Sequence, residues 1–148
     1  MITAVLDTNV LASGFLRSQE DSVVVRIFDA WRNRQFDLVV SQHILQEFAR
    51  TLASPYFRRR LTAQQVAADL ALLQSEAIVA PITVDVHGVA THPEDDLILA
   101  TAVSAEADYL VTGDLKLQRL EAYQEVTILA PKAFMQLLDE QFPEDPAS

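Results

Sequence analysis

Ile2-Thr3-Ala4-Val5-Leu6-Asp7-Thr8-Asn9 runs β-branched and apolar for five residues and then stops on three short polar ones. Asp, Thr and Asn favour strand ends and helix N-caps, because their side-chain oxygens accept from backbone N–H groups that have no other partner. The stretch therefore reads as a first strand feeding a helix. Working outward, Val23, Ile27, Ala30 and Trp31 recur at helical spacing between Ser22 and Arg34. Phe36-Asp37-Leu38-Val39-Val40 then looks like a second strand, with Ser41 placed to cap the next helix.

Ile44, Leu45, Phe48, Ala49 and Leu52 form one helical stripe that ends at the turn signal Ser54-Pro55. Thr62-Ala63-Gln64-Gln65 has the spacing of a capping box and opens another helix through Val66, Leu70 and Leu73. Ala77 to Val86 is β-branched but interrupted by Pro81, which suits an edge strand or one with an irregular end. From Pro93 the pattern is helical again through Leu97, Ile98, Thr101, Ala102 and Ala105. Short strands at Tyr109-Leu110-Val111 and Val126-Thr127-Ile128-Leu129 come next, with a last helix after Pro131. Strands alternating with helices imply parallel strands joined by helical crossovers. The expected fold is α/β: a three-layer α/β/α sandwich with a central parallel sheet of four to five strands. One domain over 1–142 and a frayed tail over 143–148 are expected.

Composition narrows the chemistry. Half of the 148 residues are hydrophobic and only 3 are Gly and 6 Pro, which suits one packed domain rather than a disordered chain. There is no cysteine, so disulfides, thiolate metal sites and cysteine nucleophiles are excluded. No basic segment precedes an apolar run at the N-terminus, and no stretch approaches the roughly 20 apolar residues of a membrane span, so a cytoplasmic protein with no membrane partner is expected. The formal net charge of -10 argues against simple binding to a phosphate backbone. Carboxylates that converge on divalent cations would neutralise part of that charge and supply a local positive field.

Four acids stand where such a site would form. In open parallel sheets, ligands bind beyond the carboxyl ends of the strands. Asp7 and Asp114 each follow a strand end; Glu47 lies one to two turns into the helix after the second strand, and Asp95 in the first turn of the helix before the Tyr109 strand. Mg²⁺ and Mn²⁺ prefer oxygen ligands and can activate a water for attack on a phosphodiester. Each acid also has an ordinary explanation. Asp7 could cap a helix, Glu47 could be solvated, Asp95 and Asp96 could merely favour a helix N-terminus, and Asp114 could be a turn residue or an N-cap. On a helical wheel Asp95 falls at the border of the apolar face of Leu97, Ile98, Thr101 and Ala102. Asp96 points almost opposite, toward solvent, so Asp95 is preferred as the ligand and Asp96 as an auxiliary.

Leu6-Asp7-Thr8-Asn9-Val10-Leu11, Ser41-x-x-Ile44-Leu45-x-Glu47-Phe48, Pro93-Glu94-Asp95-Asp96-Leu97-Ile98-Leu99-Ala100-Thr101-Ala102 and Ala107-Asp108-Tyr109-Leu110-Val111-Thr112-Gly113-Asp114 stand in this order across nearly the whole chain. Together they resemble the PIN domain family, in particular the bacterial members that are toxins of toxin–antitoxin pairs. The resemblance implies a Mg²⁺- or Mn²⁺-dependent endoribonuclease acting on RNA, with Asp7, Glu47, Asp95 and Asp114 as metal-binding and catalytic carboxylates. It further implies an antitoxin protein partner and a homodimer. Thr8 and Asn9 would orient Asp7, and Thr112 would support Asp114 by hydrogen bonding; simple capping and turn chemistry is the alternative for all three. The chain departs from the pattern after the last aspartate, where Lys116 and Leu117 stand in place of a further acid. A second metal would then bind weakly or not at all unless Asp96 compensates.

Arg58-Arg59-Arg60 is the main basic cluster. It is either solvated surface or, helped by Arg17 and Lys116, a contact for RNA phosphates. His43, His87 and His92 lack ligand spacing and are expected to be non-catalytic, and Trp31 and the phenylalanines to be packing residues. Two other functions compete with the nuclease. A Mg-binding phosphate-receiver signalling domain needs a phosphoacceptor aspartate and a late lysine, which Asp85 and Lys132 supply poorly. A non-catalytic PIN-fold scaffold for RNA or protein would be expected to have lost one of the four acids.

Overall fold

The computed structural model describes residues 1–16 and 22–143, so Arg17 and 144–148 of the expected tail lie outside the described residues. The elements run β1 (Thr3–Leu6), α1 (Thr8–Leu16), α2 (Val23–Arg32), β2 (Asp37–Val40), α3 (Gln42–Leu52), α4 (Pro55–Arg58), α5 (Ala63–Glu76), β3 (Ile78–Val79), α6 (Pro93–Ser104), β4 (Tyr109–Val111), α7 (Leu115–Gln118), β5 (Ala122–Tyr123), β6 (Val126–Leu129) and α8 (Pro131–Gln141). The caps expected at Ser41 and Thr62 are both formed. Ser41 Oγ accepts from the Ile44 N–H, and Thr62 and Gln65 exchange side-chain and backbone bonds in a full capping box.

The sheet order is β3-β2-β1-β4-β6-β5. Five strands are parallel to their neighbours and β5 runs antiparallel to β6. Consecutive residues of a strand face opposite sides of a sheet. Ala4, Val5 and Leu6, like Leu38, Val39 and Val40, are all buried. Both faces are therefore covered by helices, which gives the three-layer sandwich.

The expected four to five parallel strands are present as five, β3, β2, β1, β4 and β6, and a short antiparallel strand, β5, joins the edge of the sheet beside β6. β5 is two residues long, and its hairpin turns on Gln124 at φ 53 and is preceded by Glu121 at φ 60. Those left-handed positions usually carry Gly or Asn, so the turn left no mark in the sequence. The expected strand over Ala77–Val86 shrinks to Ile78–Val79. The Ala80 N–H still donates to the Val40 carbonyl at 2.8 Å, and Pro81 then has no N–H to extend the ladder.

Aromatic residues bind the helical layer together. Phe15 meets Phe28 edge-on at 4.8 Å and Phe48 at 5.1 Å, and Phe28 meets Trp31 at 5.8 Å. These rings are packing, as the sequence implied; deleting one as completely buried as Phe48 would cost about 3–5 kcal/mol. α1 approaches α2 at Gly14, where an added Cβ would lie 3.0 Å from the Val24 carbonyl oxygen and 3.3 Å from Phe28 Cβ.

Strand order also locates the site. β1 and β4 are neighbours, but the chain leaves β1 toward β2 and β3 on one side and returns to β4 on the other. Loops at the carboxyl ends of two such strands diverge and open a crevice. Asp7 follows β1 and Asp114 follows the end of β4, so the crevice is flanked by carboxylates.

Candidate active site

A pocket of about 610 Å³ occupies this crevice, and Asp7, Asp95 and Asp114 all contribute to its wall, with Asn9, Ser13, His92 and Gly113 among their neighbours. Asp7 is fixed from three sides. Its own N–H donates to the Val111 carbonyl at 2.8 Å, tying the end of β1 to β4. Its Oδ1 accepts from the Thr8 N–H at 2.7 Å, and its Oδ2 accepts from the Thr112 hydroxyl at 2.7 Å. The Thr112 hydroxyl in turn accepts from the Asp114 N–H at 3.0 Å. A completely buried threonine thus holds one acid by its carboxylate and the next by its backbone. Thr112 supports Asp114 as the sequence implies, but its shorter bond goes to Asp7.

Asp114 is also the N-cap of α7, its Oδ1 accepting from the Lys116 N–H at 2.8 Å and the Leu117 N–H at 3.4 Å. The ordinary reading as a cap and the reading as a pocket carboxylate hold together. Thr8 orients Asp7 through its backbone N–H, while among the described residues its buried Oγ1 has no hydrogen-bond partner. Asn9 stands on the pocket wall and makes no hydrogen bond to Asp7.

The acids act on one another. Burial pushes the Asp7 carboxyl above its ordinary range, and the charges of Asp114 and Glu47 push it further; the bonds from Thr112 and Thr8 oppose this by favouring the ionised form. Burial also raises Asp95, helped by the charges of Asp7, Asp114 and Glu94 and opposed by His92. Glu47 is therefore near enough to be felt at Asp7. It does not line the pocket, however, and its Oε1 accepts from Arg50 Nη1 at 3.0 Å.

Asp96 does not point to solvent as the helical wheel implied. It is 6% exposed, and its carboxylate accepts from the N–H groups of Gly88 at 3.0 Å, Val89 at 3.2 Å and Ala90 at 2.7 Å. The loop before α6 folds across the face that a wheel leaves open, so Asp96 clamps the loop and is absent from the pocket wall. As an auxiliary metal ligand it is poorly placed, since its carboxylate turns to the 88–90 loop and away from the pocket. His92, which has no ligand spacing in the sequence, lines the pocket three residues before Asp95. Its position immediately before Pro93, at the entry to α6, was the available signal.

Lys116 borders a small recess beside Asp95 and Asp114. Arg58, Arg59 and Arg60 are exposed and do not line the pocket. Among the described residues no three Asp, Glu or His side chains stand close enough to hold an ion directly. Mg²⁺ is commonly held by one or two carboxylates and several waters, so this donor set fits such an ion. The carboxyls of Asp7 and Asp95 are raised by burial and, to a lesser degree, by their acidic neighbours, and a bound cation would offset both.

A doubly covered α/β sheet whose switch-point crevice is lined by carboxylates defines the class of protein. The particular family follows from its sequence: the PIN domain model matches residues 3–116, and the chain belongs to the PIN domain family. Membership removes the phosphate-receiver alternative. Among curated proteins none matches the chain. Among solved structures, a chain of VapBC2 from Rickettsia felis, bound to a DNA fragment from their promoter, superposes with a TM-score of 0.60. It does so at 15% identity, covering 87% of this chain and 98% of that one, a likeness of fold.

Proposed function

We propose that this PIN domain is a divalent-metal-dependent endoribonuclease that hydrolyses phosphodiester bonds in RNA. The observation that carries this reading is the convergence of Asp7, Asp95 and Asp114 on one crevice, where Asp7 and Asp95 are both raised by burial and by neighbouring negative charge. Asp7, Asp95 and Asp114 would hold Mg²⁺ or Mn²⁺, with Glu47 acting from outside the wall. A bound ion supplies a nucleophilic water and neutralises charge that develops on phosphate oxygens.

The chain's own residues do the positioning. Thr8 and Thr112 fix both oxygens of Asp7, so the carboxylate need not reorient when substrate arrives. Asp114 is held by the turn it caps, and Asp95 accepts no hydrogen bond among the described residues, which leaves it able to adjust or to carry a proton. His92, three residues before Asp95 on the same pocket wall, partly opposes the rise in the Asp95 carboxyl.

We further read the protein as the toxin of a toxin–antitoxin pair, with an antitoxin, a second copy and RNA as partners in the cytoplasm. The fold likeness to VapBC2 supports a protein partner, and among the described residues no helix is long and apolar enough to cross a membrane. The purified protein is expected to cleave single-stranded RNA with Mn²⁺ or Mg²⁺, and Asp7→Asn to abolish cleavage. Equal cleavage by the variant, or cleavage that survives EDTA, would overturn the mechanism. A small reading frame immediately upstream whose product blocks cleavage would establish the antitoxin.

A further inference from the structure

In a chain of net charge -10, Arg58, Arg59 and Arg60 stand side by side at the end of α4, all exposed. Among the described residues none of the three forms an ion pair, whereas Arg26 is matched to Asp139 and Arg50 to Glu47. Arg60 folds back on its own turn instead. Its Nη1 donates to the Tyr56 carbonyl at 2.7 Å, and its guanidinium carbon lies 3.6 Å from the centroid of the Tyr56 ring. Tyr56 is 48% exposed, so ring and guanidinium form a two-layer stack in solvent.

A guanidinium held in this way has given up rotamer freedom before any ligand arrives. Its outer face is a flat cation of the kind on which unpaired nucleobases stack.

We propose that Tyr56 and Arg60 form a stacking platform for an unpaired base of single-stranded RNA, with Arg58 and Arg59 meeting the adjacent phosphates. An acidic peptide would use the three charges but leave the stack without a role. The proposal deepens the ribonuclease reading and rests on it for the choice of RNA.

The test is equilibrium binding in EDTA, where metal-dependent cleavage is silent, using a fluorescent oligoriboadenylate, an abasic phosphodiester of the same length and an oligoglutamate peptide. Tyr56→Ala and Arg60→Lys should each weaken oligoriboadenylate binding about tenfold. Both should leave the abasic strand unaffected, and Tyr56→Phe should bind as wild type does. Arg58→Ala and Arg59→Ala should weaken both strands and lower the salt slope by about 0.7 each. Because the side chains are exposed, Arg60→Lys keeps the charge and the fold while removing the planar stack. Wild-type affinity in Arg60→Lys, equal losses on the abasic strand, or oligoglutamate binding with the same dependence on Tyr56 would overturn the platform. RNA binding that shows this pattern without any cleavage in Mn²⁺ would overturn the nuclease reading alone; cleavage with affinity indifferent to Tyr56 and Arg60 would overturn the platform alone.

Discussion

The Thr112 hydroxyl donates to Asp7 Oδ2 at 2.7 Å across 105 positions of sequence, joining the loop after β4 to the loop after β1. Thr112 is completely buried, so Thr112→Val keeps the shape and removes the bond. The loss should cost about 1.5–3 kcal/mol of stability, as for a hydrogen bond to a charged group. RNA cleavage should fall roughly tenfold as Asp7 loses its fixed orientation, while Thr112→Ser should retain both. Denaturant unfolding and initial cleavage rates read the two effects; unchanged cleavage in Thr112→Val would show that the bond serves folding alone.

Burial of Asp7, reinforced by its acidic neighbours, predicts opposite effects of one substitution on stability and on metal response. The Asp7 carboxyl is raised in the folded chain, so ionising it costs stability: the contribution is complete below its ordinary 3.8 and is lost as pH rises through the folded value. Asp7→Asn should therefore melt higher than wild type at pH 7 in EDTA. Adding Mn²⁺ should raise the melting temperature of wild type, by the equivalent of about 2.7 kcal/mol at a hundredfold excess over Kd, and that of the variant much less. Parallel upward shifts in both proteins would place the ion elsewhere.

Asp69 gives the same sign without any metal. Burial pushes its carboxyl up to about 6, and its buried Oδ2 has no hydrogen-bond partner among the described residues. Stability from the protonated form is present below 3.8 and lost as pH rises through about 6. Thermal melts of Asp69→Asn should exceed wild type at pH 7 and converge with it near pH 4. A constant difference across that range would assign the effect to packing.

Asp96 should behave as a structural clamp. Asp96→Ala strands three backbone donors, at Gly88, Val89 and Ala90. A loss of about 2–4 kcal/mol is expected, because unsatisfied donors and a charge-assisted acceptor are involved. Hydrogen exchange should accelerate at those three amides before it does so in β1 or β4. Unchanged protection there would show that the loop is held by other contacts.

Gly14→Ala should destabilise by about 1–3 kcal/mol through overpacking between α1 and α2. The new methyl would press on a backbone carbonyl, which yields less readily than a side-chain tip. A chemical-denaturation midpoint at or above the wild-type value would show that α2 shifts without penalty.

Much of this architecture was legible along the chain. Apolar runs ending in Asp7 and in Thr112-Gly113-Asp114, helical stripes after Ser41 and Thr62, and Pro93 and Pro131 opening helices are local signals, because periodicity and capping involve residues a few positions apart. They sufficed for a mostly parallel α/β fold and for acids at strand ends. The β5 hairpin escaped because Gln124 adopts a left-handed turn with no glycine to announce it.

What tertiary structure alone decided was the destination of each polar side chain. Asp95 and Asp96 are adjacent and chemically alike, and a helical wheel sent the second to solvent. The 88–90 loop, folding over α6, made it the buried one and left Asp95 to the pocket. In the same way the sequence placed Thr112 beside Asp114, but only the pairing of β1 with β4 brought its hydroxyl to Asp7. Burial and hydrogen bonding depend on how loops fold over helices and which strands become neighbours, neither of which periodicity along the chain records.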